Sequence, residues 1–449
     1  MTTYRSWGMP AAQHQAAIAP AWPGEAEDFA RYTNTGDSAG ANSFLAFGNG
    51  RSYGDSCLNS SGTLVHTRYL NKILDFDKVN GRLRAQPGVT MRDILSLVLP
   101  AGWCVPVSPG TSFVTLGGAV ANDVHGKNHH ARGSFGRHVR QLTLLRSSGE
   151  IFECSPDSHS ELFRASIGGL GLTGLMLAIE ISLIPVKGPL MDCLNIPFHG
   201  LDEFIELSKT YEATHEYTVA WLDCLSTGDN EARGIFTAAN HSPIELAYRR
   251  TDTNRLSVPF NFPSIALNRL SISAFNSLYY YANARASRRQ ETVPIDKLFY
   301  PLDAIGHWNR IYGVQGFYQF QFVVPPDQRT ALVEVMARIR RSGLGSFLAV
   351  LKIFGDSSSP GMLSFPRPGF CLALDFAYRR DTTERLLKEL EAIVIAADGA
   401  IYPAKDRLMS AASFEASFPD VRKFMSHTDP ACQSDYWQRV KPKELIEHV

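Results

Sequence analysis

Hydrophobic positions follow two different periods along this chain. In the first 185 residues the apolar runs are short and end in glycine, the mark of strands joined by tight loops. Ser43 to Phe47 predicts a strand that runs into a glycine loop. Thr63–Thr67 and Ile73–Asp77 alternate as strands do, and Asn80-Gly81 signals a hairpin turn after the second. Thr90 and Asp93 have capping-box spacing, with Asp in place of Glu or Gln. Ile94, Leu95, Val98 and Leu99 then give a helical apolar face that Pro100 and Gly102 end. Leu142–Leu145 and Ile151–Cys154 flank a Ser148-Gly149 turn and predict a second hairpin. Glu161–Ser166 reads as helix and Leu175–Ile184 as strand, and Glu25–Thr33 reads as a short helix near the start.

Pro185–Pro189 (PVKGP) marks a boundary, and the pattern changes beyond it. Long amphipathic helices are predicted at Asp202–Tyr211, Asp327–Ser342 and Thr383–Ala396. Strands are predicted at Thr218–Leu222, Gly316–Val324, Ser346–Phe354, Phe370–Phe376 and, briefly, Gly399–Tyr402. Alternation is plain in Gly316–Val324: Tyr318, Phe320 and Phe322 share one face, with Gln319 and Gln321 on the other. Those two glutamines face either a polar pocket or solvent. Ser264–Arg289 predicts a helix with clustered Tyr279, Tyr280 and Tyr281 and a basic end at Arg285, Arg288 and Arg289. It fits either a peripheral membrane contact or an ordinary surface helix. The C-terminal segment reads as helical and charged.

Three glycine-rich stretches stand out in the first half. They are Phe47–Asn59 (FGNGRSYGDSCLN), Ser108–His130 (SPGTSFVTLGGAVANDVHGKNHH) and Gly168–Gly174 (GGLGLTG). Glycine lets a backbone approach a ligand closely, and free N–H groups beside a guanidinium make a cradle for phosphate oxygens. Three such loops predict a long, phosphate-bearing cofactor laid across them. Gly169, Gly171 and Gly174 spell G-x-G-x-x-G, but with helix before and strand after, the reverse of the order a Rossmann turn requires.

Composition narrows the picture. A chain of 449 residues predicts two domains, and 44% hydrophobic with 20% charged content is that of a globular protein. Formal net charge of zero, without a basic run, argues against nucleic acid as partner. Seven scattered cysteines without metal spacing indicate a reducing compartment and no metal site. No secretory signal and no membrane span of ~18 apolar residues is expected.

In order along the chain, GNGRSYGD, PGTSFVTLGGAVANDVHGKNHH, GSFGRHV, GGLGLTG, FYPLDAIGHWNRIYG, FYQFQFVVP and YPAKDR resemble the decaprenylphosphoryl-β-D-ribose 2′-oxidase family, flavoproteins of the vanillyl-alcohol-oxidase type. The resemblance runs from about residue 40 to the C-terminus. It implies an α+β chain: a two-part FAD-binding domain (1–186 and 398–449) around an inserted α+β substrate domain (187–397) built on an antiparallel sheet. It implies non-covalent FAD, because Arg51 stands where related oxidases carry a covalent histidine. Gly48, Gly50, Arg51, Ser52, Tyr53 and Gly54 are implied to hold the pyrophosphate. Pro109, Gly110, Thr111, Thr115, Gly118, His125 and Gly126 would line the dinucleotide and flavin ring. Gly171, Gly174, Tyr402 and Lys405 would approach it from other segments. Trp221, Tyr300, Gln319, Gln321 and Lys352 would surround a sugar.

The implied activity is oxidation of the 2′-hydroxyl of a polyprenyl-phosphate-linked pentose, the first half of an epimerisation in cell-envelope synthesis. It brings a lipid-linked sugar phosphate as substrate, an NAD(P)H-dependent reductase as partner, and quinone or oxygen as electron acceptor. The implied place is the cytoplasm, or the inner membrane's surface. The other readings are a sugar-alcohol or aldonolactone oxidase of the same superfamily, and a flavin-binding protein without turnover.

Alcohol oxidation needs a hydride acceptor and a proton acceptor. His125 and Lys405 are the candidate catalytic groups. On its own His125 reads rather as a structural loop histidine, which only its G-G-A…H-G-K-N-H-H context reverses, and Lys405 reads equally as a solvated lysine near a helix start. Trp221 and Tyr300 read as core aromatics on their own. Lys352, flanked by Val350, Leu351, Ile353 and Phe354, is a lysine in an apolar strand, costly unless paired or functional. The chain departs from the family at three places. Leu170 replaces an asparagine, Asn122 replaces a cysteine, and Ala373 occupies the reactive-cysteine position with Cys371 two residues earlier.

Overall fold

A computed structural model describes residues 3–8, 13–33, 43–228, 232–248, 256–263, 266–285 and 290–443. Ser264, Arg288 and Arg289, named above in the tyrosine-rich helix, lie outside the described residues. Within them that helix is Arg269–Arg285.

Three sheets carry the architecture, an α+β arrangement with two antiparallel sheets. A small parallel sheet places Thr63–His66 between Ala16–Ile18 and Phe44–Phe47. An antiparallel sheet of five follows, in the order Ile151–Cys154, Val139–Leu145, Leu175–Ser182, Arg82–Ala85, Ile73–Asp77. The predicted Leu175–Ile184 strand breaks at Leu183, and Ile184–Pro185 pairs instead with Trp103–Cys104. The helix predicted after Thr90 spans Met91–Val98, and Thr90 and Asp93 close the capping box reciprocally.

From Leu190 the chain enters an eight-stranded antiparallel sheet. Its order is Gln290–Pro294, Leu190–Phe198, Gly234–His241, Tyr217–Leu222, Ala349–Phe354, Gly369–Ala377, Phe317–Val324, Ala400–Ile401. Helices Gly200–Glu212, Arg329–Ser342 and Asp381–Ala396 bury their apolar stripes against it. Every residue of Phe317–Val324 is buried. Gln319 and Gln321 therefore face a closed polar environment, not solvent. The strand predicted from Ser346 begins at Ala349, because Ser346 is occupied otherwise: its hydroxyl donates to Leu348 O and accepts from Asp375 N.

The last segment returns to the first. Phe44 N donates to Ala431 O, Ser60 N donates to the Asp435 carboxylate, and Arg439 pairs with both Asp55 and Asp406. Tyr53 N donates to Ala404 O at 2.8 Å, so the first glycine loop is fixed by the YPAKDR segment. Gly54 is the closest approach of the two: a Cβ there would overlap the Asp406 carbonyl oxygen. Gly54→Ala should destabilise the protein by about 3 kcal/mol, the cost of overpacking a tight contact. Urea denaturation of the FAD-loaded variant should show it, while a change below ~1 kcal/mol would mean that the segments separate freely.

Candidate active site

All three glycine stretches meet at one cavity of about 570 Å³. Gly48, Gly50, Arg51, Ser52 and Tyr53 form one wall of it. Gly50 has φ +58°, a conformation that side chains other than Asn and Asp seldom adopt. Asn49 Nδ2 donates to Phe113 O at 2.9 Å and joins this loop to the second stretch. There Pro109, Gly110, Thr111, Thr115, Gly118, His125 and Gly126 line the cavity. Asp303 clamps that stretch, accepting from Thr111 Oγ1, Ser112 N and Ser112 Oγ at 2.7–2.8 Å. Gly171 and Gly174 line it from the third stretch, which has helix before it and strand after it.

The far end is built by the eight-stranded sheet. Gln319, Gln321, Val350, Lys352 and Ala373 come from three adjacent strands and point into the cavity. Tyr402 and Lys405 enter from the segment after the sheet's edge strand. The Tyr402 hydroxyl donates to Asn122 O at 2.9 Å, and Lys405 Nζ sits 3.8 Å from the Tyr53 ring centroid. Lys352 Nζ donates to Gly126 O at 3.3 Å.

Three expected site residues do not line the cavity. Gly54 packs on Asp406 instead. Tyr300 lies behind the wall, its hydroxyl hydrogen-bonded to that of Ser108, which does line it. Trp221 shares a sheet face with Val219 and Val350, but its ring packs against Tyr279 and its Nε1 donates to Phe347 O. Cys371 also stays outside. It shares a face with Ala373 but lies behind Gln321, whose Nε2 donates to its sulfur at 3.4 Å. Burial pushes that thiol up to about 11. Leu170 lines the cavity at φ +57°, a left-handed conformation that asparagine tolerates better than leucine.

The electrostatics concern half-buried positive charge. Arg51, Lys127, Lys352 and Lys405 all reach the cavity. Burial lowers the Arg51 guanidinium, which lies over the Trp7 and Phe113 rings. Burial, then the Lys352 charge, lowers Lys127 to about 7. Burial also lowers Lys352. Lys405 falls to about 7 through burial and Lys352, and Asp375 opposes the fall. Asp375, buried beneath, accepts from Gln319 Nε2 and Tyr312 Oη, and burial raises its carboxyl. His125 is held far below its usual value by burial first, then by Lys352, His129 and Lys405, so it is neutral. Gln321 Nε2 donates to His125 Nε2 at 2.7 Å, which places the ring proton on Nδ1.

Lys127, Asp303 and Asp375 were not singled out by the sequence reading. Lys127 stands two residues after His125 in a motif already noted, and Asp375 shares the strand face of Ala373 by simple alternation. Asp303 sits in the FYPLDAIGHWNRIYG segment, with no local signal of its own.

The residues present suit a long anionic dinucleotide. Arg51 Nε, Ser56 Oγ and His125 Nδ1 are buried without a hydrogen-bond partner. Gly110 borders open space, where even a Cβ would meet no atom. Buried polar groups are seldom left unpaired, and an anionic ligand in the cavity would complete these three. The site and fold provide a cradle for a long, phosphate-bearing cofactor.

Comparison with known proteins agrees. The pattern described as an FAD binding domain matches residues 19–155. Decaprenylphosphoryl-β-D-ribose oxidase of Mycolicibacterium smegmatis is 32% identical over 93% of this chain and 92% of its own. An uncharacterised protein of Streptomyces coelicolor is 31% identical over 76% of this chain and 96% of its own. L-gulonolactone oxidase of Mus musculus is 27% identical over only 28% of each chain. The chain belongs to the decaprenylphosphoryl-β-D-ribose oxidase family.

With Arg51 packed between Trp7 and Phe113, no nucleophile occupies the loop position that anchors flavin covalently in related oxidases. Acid precipitation of the yellow protein should leave the colour in the supernatant. Colour retained in the pellet would show a covalent bond.

Proposed function

We propose that this enzyme oxidises the 2′-hydroxyl of a polyprenyl-phosphate-linked ribose-type sugar. One observation carries the reading: two glutamine amides and three half-buried lysines converge on the end of the cavity beside His125. Amides suit sugar hydroxyls, and lysines suit a phosphodiester. The whole-length likeness to a decaprenylphosphoryl-β-D-ribose oxidase supports the same substrate class. Residues 1–186 and 398–449 act as the two-part cofactor domain, and 187–397 as the substrate domain.

When bound, FAD supplies the hydride acceptor. Gly48, Gly50, Arg51, Ser52 and Tyr53 hold its pyrophosphate, and Pro109–Gly126, Gly171 and Gly174 follow its length. Gln319 and Gln321 orient the sugar, with Lys352 and Lys127 toward the phosphate. His125 takes the hydroxyl proton at Nε2 once the substrate displaces the Gln321 amide. Lys405 holds negative charge that develops during hydride transfer, and Asp375 sustains its protonation. An NAD(P)H-dependent reductase then completes the epimerisation, and quinone or oxygen takes the electrons. The enzyme works at the membrane surface, where a lipid-linked substrate resides. Among the described residues no helix is long and apolar enough to cross a membrane.

Anaerobic mixing tests the reading. A prenyl-phosphoryl ribose should bleach the flavin while free ribose does not; equal bleaching by free ribose or an aldonolactone would overturn it. Lys405→Met should keep FAD yet slow reduction on the order of a hundredfold, about 3 kcal/mol of barrier. The pH profile gives the sign. A charged Lys405 is lost as pH rises through its pKa, about 7 in the cofactor-free protein and raised by a bound anion, so reduction should fall on the alkaline side of neutrality. Asp375 raises that pKa, so Asp375→Asn should move the fall to lower pH. A rate that climbs through the same range would make the neutral amine the working form.

A further inference from the structure

The helix Arg269–Arg285 is inside out. Its buried positions include Asn276 and Tyr280, with Ile272 the one buried aliphatic side chain. Asn276 is 0% exposed and donates to Asp223 Oδ1 and Ser346 O; Arg233 donates to Ser277 Oγ; and the Tyr280 hydroxyl is hydrogen-bonded to His199 Nε2. The outer face carries Leu270 at 82%, Leu278 at 73% and Tyr281 at 53% exposure. A helix packed only on its own protein shows the opposite polarity. Polar bonds fix this helix in place while its apolar side stays in solvent.

A second apolar surface borders the same cavity. The segment 256–262 lies along the outside of a cavity wall: Leu256–Ser257 pairs with Ile305–Gly306, and Phe262 N donates to Arg310 O. Ile305 and Gly306 line the cavity from within. On the outside Leu256 is 70% and Phe260 62% exposed. The helix reaches the same region, since Phe275 packs on Phe347, next to the cavity-lining Leu348. The helix contains no Asp or Glu and has exposed Arg269 and Arg285 at its ends, in a chain of zero net charge.

We propose that these two surfaces form one docking face for an anionic phospholipid bilayer, seating the cavity wall against the lipid. Exposed apolar side chains flanked by cations suit the interface between acyl chains and acidic headgroups. The proposal rests on the lipid-linked substrate reading and deepens it: the sugar phosphate is taken directly from the membrane in which its tail stays.

Flotation of FAD-loaded protein with vesicles of equal phosphatidylglycerol and phosphatidylcholine tests it. Wild type should rise with the vesicles. The double variant Leu270→Glu, Leu278→Glu should lose at least tenfold of that binding, with an unchanged melting temperature. Reduction by a water-soluble, short-chain prenyl-phosphoryl ribose should be unaffected, whereas reduction by a long-chain substrate embedded in vesicles should fall. Wild type that stays at the bottom, or a double variant that floats as well, overturns the proposal. So does a dimer on gel filtration that the same substitutions split without any flotation, which would assign the face to a second copy of this chain. If the soluble substrate fails to reduce even wild type, the functional reading fails, and flotation still decides the docking face by itself.

Discussion

Positive charge gathered in half-buried side chains around one cavity is the constraint on which the rest of this structure depends. Arg51, Lys127, Lys352 and Lys405 line it together with Asp303, which is engaged by Thr111 and Ser112, while Asp375 offsets Lys405 from beneath. Withdrawing an ammonium from water without a counter-charge is costly, and the group sheds its proton rather than bear the full cost. The lowered lysines show that strain. It is relieved when anions enter, and a dinucleotide pyrophosphate and a sugar phosphodiester are anions of suitable size. Cofactor and substrate thereby complete the electrostatics of the fold as well as its chemistry.

The architecture serves that convergence. Glycine loops bring backbone to one wall, and Gly54 lets the first loop press against the returning C-terminal segment. The broad antiparallel sheet supplies the other end, where strand alternation points Gln319, Gln321, Lys352 and Ala373 inward from neighbouring strands. The inverted helix and the 256–262 segment then place an apolar exterior beside the same cavity.

Much of this was legible in the sequence because it is encoded locally. The Thr90 capping box, the hairpins and the long amphipathic helices follow from short-range spacing. The reversed order around GGLGLTG correctly excluded a Rossmann turn, since Ser160–Ser166 is helix and Leu175–Ser182 strand. What could not be read depends on distant contacts. Trp221 alternates correctly to face the cavity, yet Tyr279 of a helix some sixty residues away covers it. Tyr300 is turned away by Ser108, and Asp303 acquires its role only by meeting Thr111 and Ser112 across the fold. Whether Cys371 faced the pocket was likewise decided by Gln321 on the neighbouring strand.

The direct measurement is proton uptake on FAD binding. Lys405, whose Nζ lies 3.8 Å from the Tyr53 ring of the pyrophosphate loop, is lowered to about 7 without the cofactor, so it is partly neutral near pH 7.5. An anion bound beside it raises its pKa, and protons must follow. Calorimetric titration of the cofactor-free protein with FAD, at pH 7.5 in two buffers of different ionisation heat, counts them. The account predicts net uptake, reduced in Lys405→Met. No uptake, or net release, would contradict the claim that half-buried, partly neutralised lysines are what the anionic cofactor completes.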